Sequence, residues 1–258
     1  MSHLIRSLTF LGLMLFSLSG LAAALVETVA GDVKAGGSAS TAITILKDQR
    51  IQPGSVVVTG PKSRVLLRFD DGQAIALNEN TEFKIAAYSY ARDDAKKDNI
   101  ALELFKGAMR SVSGLLSRRN PQAYSLRTTV ATIGIRGTDF MVAVVNPTFM
   151  RVIDGTITAS NAAGTVAFGP GATAAVASAT TLPAAIAASA LPASVAASFS
   201  QLGSLTIAAG TGAAGAVGAA TGGVTVGTIA AAAAVVGIAA AVSSSDSTST
   251  TGTTGTTP

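Results

Sequence analysis

Thr128-Thr129-Val130-Ala131-Thr132-Ile133-Gly134-Ile135-Arg136-Gly137-Thr138-Asp139-Phe140 changes its apolar parity halfway along, which a regular β-strand does not do. In extended backbone Leu126, Thr128, Val130 and Thr132 share one face, and Ile133 and Ile135 share the other. Phe140 and Val142 then return to the first face. Such a switch needs an inserted residue or a bend. Gly134 and Gly137 are the positions read as allowing it, because glycine tolerates backbone angles closed to other residues. Arg136, pinned between them, is expected to reach a carboxylate or carbonyl across the bend. Nothing in this stretch has the composition of an active site.

Working outward, the same habit of short apolar alternations broken by turn residues fills residues 25–177. Val56 to Thr59 precedes Gly60-Pro61. Val65 to Phe69 and Ala74 to Leu77 flank Asp70-Asp71-Gly72, a hairpin signal of the Asp-Gly kind. Phe83 and Ile85 alternate with charged residues, and Tyr88 to Asn99 reads as an exposed loop. Ile100, Leu102 and Leu104 alternate up to Lys106-Gly107, read as a turn. Ser117 to Pro121 reads as a basic loop, and Asp154-Gly155 as a further turn. Asn161 to Gly164 and Gly169-Pro170-Gly171 close the series. The expectation is an all-β domain, a roll or sandwich or a solenoid-like stack. Glycines 72, 107, 137 and 155 are unevenly spaced, which argues against a strict repeat.

Beyond this domain the composition changes. No charged residue occurs from Gly155 to Ser245. Residues 178–203 read as two short helices, starting near Leu182-Pro183 and Leu191-Pro192, the second with Val195, Phe199 and Leu202 on one stripe. Residues 204–242 are a Gly/Ala-rich apolar segment, read as helical. Within it Val224 to Val242 is long enough for a bilayer core, but alanine-rich and without flanking cations. Small residues at three- to five-residue spacing equally suit helix self-association, so membrane association and self-association both stand as readings. Residues 243–258, rich in Ser, Thr and Gly, read as a disordered tail.

The N-terminus places the chain. Arg6, then an uncharged apolar run from Leu8 to Ala24 ending Leu21-Ala22-Ala23-Ala24, has the form of a signal peptide over residues 1–24. The expectation is an exported protein of the periplasm, outer membrane or cell surface. The chain has no cysteine, and its one histidine is His3. Disulfides, thiolate sites, imidazole bases and His-based zinc sites are thereby excluded from the mature chain. Acids and bases are interleaved through residues 27–154, a pattern of solvated surface and not of a nucleic-acid footprint.

Residues 29–175 resemble the FecR domain. The marks are Gly31-Asp32-Val33, Thr59-Gly60 before Ser63, and Leu67-Arg68-Phe69-Asp70-Asp71-Gly72, continuing through Ile75-Ala76-Leu77 and Asn80-Thr81. They continue with Gly107, Arg110 and Ser113-Gly114, and with Gly134-Ile135-Arg136-Gly137-Thr138-Asp139-Phe140. Ser55 and Ser113 depart mildly from the pattern, where the family often has an acid and a threonine. Signalling members of that family carry a cytoplasmic sigma-factor-binding segment and a membrane helix ahead of the periplasmic domain. This chain has an export signal in that place, so the resemblance implies a stand-alone exported domain without the anti-sigma segment. It marks Asp70, Asp71, Gly72, Gly107, Arg110, Gly114, Gly134, Arg136, Gly137, Thr138 and Phe140 as signature positions, read as structural.

No catalytic residue, metal site or cofactor is expected. The acid pairs Asp70-Asp71 and Asp93-Asp94 lack the spacing of a calcium loop. Ser111, Ser113 and Thr138 have no evident base, and Glu79, Glu82 and Glu103 read as exposed. Two functions remain: a binding or scaffold module for an envelope protein or polymer, or a structural display protein assembled through residues 204–242.

Overall fold

The computed structural model describes residues 24–208. Residues 1–23 of the expected signal peptide, most of the Gly/Ala segment with its span 224–242, and the Ser/Thr/Gly tail lie outside the described residues, whereas Ala24, the expected last residue of the signal, opens the first strand. The strands run in order as β1 (Ala24–Ala30), β2 (Val33–Gly36), β3 (Ile43–Thr44), β4 (Arg50–Ile51), β5 (Val56–Thr59), β6 (Arg64–Phe69), β7 (Ala74–Leu77) and β8 (Glu82–Ser89). The long strand β9 (Asn99–Val112) leads into helix α1 (Leu115–Arg119) and β10 (Tyr124–Arg127). Then come β11 (Thr132–Val144), β12 (Thr148–Asn161), β13 (Gly164–Phe168), β14 (Thr173–Val176), β15 (Ala184–Ile186) and helix α2 (Ala193–Gly203).

The 15 strands of the described residues belong to one hydrogen-bonded network. Three long strands fold it into two facing sheets. The first half of β9 pairs with β8 and β10, and its second half with β7 and β11. The first half of β11 pairs with β10, and its second half with β9. β12 likewise takes β14 along its first half and β13 along its second. One sheet therefore holds β4, β1, β6, β7, the ends of β9 and β11, the start of β12, β14 and β15; we call it sheet I. The other, sheet II, holds β3, β2, β5, β8, the starts of β9 and β11, β10, the end of β12 and β13. Every pairing is antiparallel except β9 with β10. This is a sandwich with three shared strands, which removes the solenoid alternative, since a β-solenoid stacks parallel strands.

The bends sit at three glycines with positive φ: Gly107 (88°), Gly137 (56°) and Gly155 (77°). Each coincides with a switch of buried parity. Leu104 gives way to Met109, Ile135 to Phe140, and Val152 to Ile157, all of them buried. The parity change read in the sequence is thus real, and the β11–β12 register shifts between Arg136 and Phe140. A Cβ on Gly155 would collide with the carbonyl oxygen of Gly137, so no larger residue fits where the two bends cross. Three readings need correction here. Lys106-Gly107 and Asp154-Gly155 are not turns but bends inside continuous strands. Gly134 is no hinge: it lies in regular register opposite Thr158, whose hydroxyl would stand 2.8 Å from an added Cβ. Thr128 to Ala131 is not strand but the turn between β10 and β11, closed by the Thr128 N–H donating to the Ala131 carbonyl at 2.8 Å. The Thr128 hydroxyl accepts from the Ala131 N–H at 3.1 Å, the local side-chain bonding that favours turns over ladders.

Other loops also carry more structure than their polarity suggests. Tyr88 is buried in β8, and only residues 90–98 form the loop. The expected basic loop is helix α1 followed by a 3-10 turn, Pro121–Ala123. The first of the two expected helices is replaced by β15 and a 3-10 turn, Ala188–Ala190, so sheet I continues beyond residue 177. The second is α2, and Val195, Phe199 and Leu202 are its buried residues.

The main core lies between the sheets, with Val57, Leu67, Ile75, Phe83, Leu102, Ile133, Phe140 and Met150 among its members. A second core covers the outer face of sheet I. There Leu66, Ala76, Ala108, Met141, Ala143 and Phe149 pack against Val195, Phe199 and Leu202 of α2. The small alanines let the helix lie close to the sheet. Among the described residues no helix is long and apolar enough to cross a membrane.

Candidate functional site

Two polar assemblies involve the signature positions. The first is enclosed. Asp71, fully buried, turns its carboxylate inward at the β6–β7 hairpin. One oxygen accepts from the Gln73 N–H at 3.1 Å and from the Tyr88 hydroxyl at 3.3 Å; the other accepts from the Leu116 N–H at 3.2 Å. Gly114 packs against this carboxylate so closely that a Cβ would collide with it. Burial pushes the Asp71 pKa upward, against the opposing pull of these hydrogen bonds. Burial, and then the Asp71 charge, push the Tyr88 phenol upward as well. Gln73 donates to Ser111 at 3.3 Å, while its amide oxygen has no partner among the described residues. The buried Tyr124 hydroxyl, beside Ser111, has no hydrogen-bond partner among the described residues. This knot ties the hairpin, β8 and α1 together.

The second assembly opens to the outer face of sheet I. Arg110 projects from β9 on the face that α2 covers, and its guanidinium grips Asp139 of β11 at 2.9 and 2.7 Å. The same guanidinium donates to the carbonyls of Leu202 at 3.1 Å, Gly203 at 3.3 Å and Leu205 at 2.9 Å. A helix C-terminus leaves carbonyls without intrahelical donors, and a cation there also meets the negative end of the helix dipole. Arg68, ion-paired with Glu27 at 2.9 Å, donates to the Ala208 carbonyl at 2.8 Å. Asn78 donates to Gln201 at 3.0 Å. Residues 201–208 are thus held by three side chains from three strands or their ends. Beside the helix lies a groove of about 360 Å³ lined by Met141, Arg151, Ile153, Leu191 and Phe199.

The remaining signature positions are distributed as follows. Asp70 is on the surface, paired with Arg50 at 3.3 Å. Gly72, Gly107 and Gly137 shape the hairpin and the bends, and Phe140 is core. The Thr138 N–H donates to the Ser113 hydroxyl at 2.9 Å, fastening β11 to the end of β9. Arg136 contradicts the expected tie: it is exposed, and no hydrogen bond or ion pair holds it among the described residues. Arg110, for which no contact was predicted, is the arginine that holds a carboxylate and backbone carbonyls. Asp139, Arg68 and Asn78 lie within or next to the quoted marks but were not singled out as site residues. Asp98 was read as loop surface, yet it is buried and takes a two-pronged grip from Arg119 at 2.7 Å on each oxygen.

Chemically the open assembly offers hydrogen-bond donors and an apolar bed for polypeptide. Glu82 and Glu103, on the outer face of sheet II, pair with Lys106 and Lys84 and face no cleft. Among the described residues no three acidic, histidine or cysteine side chains converge to hold a metal.

The family model described as FecR protein matches residues 55–166. No curated protein matches the sequence. Two crystal structures of a "putative anti-sigma factor" from Parabacteroides distasonis ATCC 8503, at 1.65 and 2.50 Å resolution, are similar to it. Each shows 13% identity and a TM-score of 0.40, with 51% of this chain covered. The chain spans 58% of the length of those structures.

Proposed function

From the match of residues 55–166 to the FecR family model, we propose that the chain is a non-catalytic, exported binding and scaffold module of the cell envelope. The observation that supports this is the Arg110–Asp139 pair holding the carbonyls of residues 202, 203 and 205. A segment outside the matched family region is clamped on a sheet face by an apolar bed and a guanidinium. That is the chemistry of polypeptide docking, with a helix laid on a groove and its end fixed by charge. In this reading the clamp fixes residues 201–208 on the sheet, and the remaining surface meets an envelope protein or polymer.

The test is capture from solubilised envelope fractions on the immobilised full chain, wild type beside Arg110→Met. The expected result is a saturable partner whose recovery changes when the clamp is cut. Absence of any saturable partner, or turnover of a substrate by the purified chain, overturns the reading. The 91-residue uncharged span from Gly155 to Ser245 favours a second reading, display of the domain by a self-associating or membrane-held tail. Deletion of residues 209–258 then releases soluble monomer, and an unchanged sedimentation profile refutes it.

A further inference from the structure

The sandwich ends in four outer strands, and three of them are guarded. β3 and β4 have two residues each; the Asp32–Lys34 pair stands beside the first, and Arg50 lies in the second. β15 has three residues and follows Pro183. Short length, charge and proline are the devices by which edge strands avoid pairing with other chains. β13 has none of them. It is five residues long, Gly164-Thr165-Val166-Ala167-Phe168, with neither charge nor proline. It pairs with β12 alone, and no backbone hydrogen bond reaches the other side of residues 165–168 among the described residues. Leu182 covers the Gly164 end, while Thr165 and Ala167 are exposed.

We propose that β13 is a self-docking edge, on which the β13 of a second copy of this chain adds in antiparallel register to extend sheet II across a twofold axis. The bare edge calls for an extended strand, because its open groups are alternating backbone donors and acceptors. An identical strand satisfies them, since antiparallel pairing is self-complementary under a twofold. The side chains agree. With the axis at Val166, Thr165 of each copy faces Ala167 of the other, and both are small and neutral. Neither β13 nor the half of β12 behind it carries a charge, so two copies approach along this edge without like-charge repulsion. This surface is separate from the α2 clamp.

The test is sedimentation equilibrium of the full mature chain over a concentration series, for wild type, Ala167→Lys, Thr165→Lys and the control Ile43→Lys on the β3 edge. Wild type is expected to dimerise reversibly. Ala167→Lys and Thr165→Lys, with unchanged circular dichroism, are expected to weaken the dimer about tenfold or more, because each brings like charges together across the interface. Ile43→Lys is expected to leave it unchanged. Because the chain has no cysteine, a mixture of the Thr165→Cys and Ala167→Cys variants gives a second readout, a disulfide-linked dimer of the two unlike variants. A wild type that is monomeric throughout overturns the proposal. So does a dimer that survives both lysine variants, or one that only Ile43→Lys disrupts.

Discussion

Replacing Arg110 with methionine keeps most of the aliphatic stem and removes the guanidinium. Five hydrogen bonds go with it, two to Asp139 and three to the carbonyls of residues 202, 203 and 205. Breaking a buried pair by removing one partner costs roughly 3–5 kcal/mol, because the other charge is left uncompensated. The Asp139 side chain is 19% exposed and regains some water, so the low end, about 3 kcal/mol, is the expectation here. Asp139→Asn is milder, about 1–2 kcal/mol, because Arg110 keeps the three carbonyls. Arg110→Lys retains the charge but not the planar fork, and is expected between the two. Urea unfolding followed by circular dichroism, carried through the Arg110→Met/Asp139→Asn cycle, measures each step and their coupling. A loss within about 0.5 kcal/mol for Arg110→Met, or a cycle with no coupling, refutes the clamp as described.

Gly155→Ala sets a Cβ into the Gly137 carbonyl at a φ of 77° and is expected to cost about 3–5 kcal/mol. Gly54→Ala, at a φ of 87° but with open space around it, is expected to cost only about 1–2 kcal/mol in the same unfolding assay. Arg136→Ala is expected to change stability by no more than about 0.5 kcal/mol, since that side chain is exposed and unpartnered among the described residues. For Asp71 the folded pKa is raised, so its contribution is full below the unfolded value of about 3.9 and is lost as pH rises through the folded value. The stability of wild type relative to Asp71→Asn is therefore expected to rise as pH falls from neutrality toward 4. A difference that shrinks on acidification, in urea unfolding at several pH values, contradicts the assignment.

The sheet-forming alternations, the Asp-Gly hairpin and the stripe Val195, Phe199, Leu202 were legible because they rest on neighbours within a few residues. The parity switch at Gly137 was legible for the same reason. Gly107 and Gly155 were mistaken for turns because a positive φ serves a bend and a reversal equally. What separates the two is the pairing partner, and β7, β11 and β14 are distant in sequence. The misplacement of Arg136 had a local signal after all. Counting by two sets it with Thr132, opposite the buried Ile133 and Ile135. Arg110 could not be read that way, since its face is buried only by α2, about ninety residues on. Asp71 was equally opaque: it has the composition of a turn, and Tyr88 and α1 enclose it from elsewhere in the chain.

Hydrogen exchange by mass spectrometry on the full chain, wild type beside Arg110→Met, tests the clamp most directly. In wild type the α2 amides are expected to exchange slowly, as a helix sealed by Val195, Phe199 and Leu202 should. A clamp worth about 3 kcal/mol predicts that Arg110→Met speeds exchange in residues 196–205 by about a hundredfold. Fast exchange of α2 in wild type, or exchange of residues 196–205 unchanged in the variant, would contradict it.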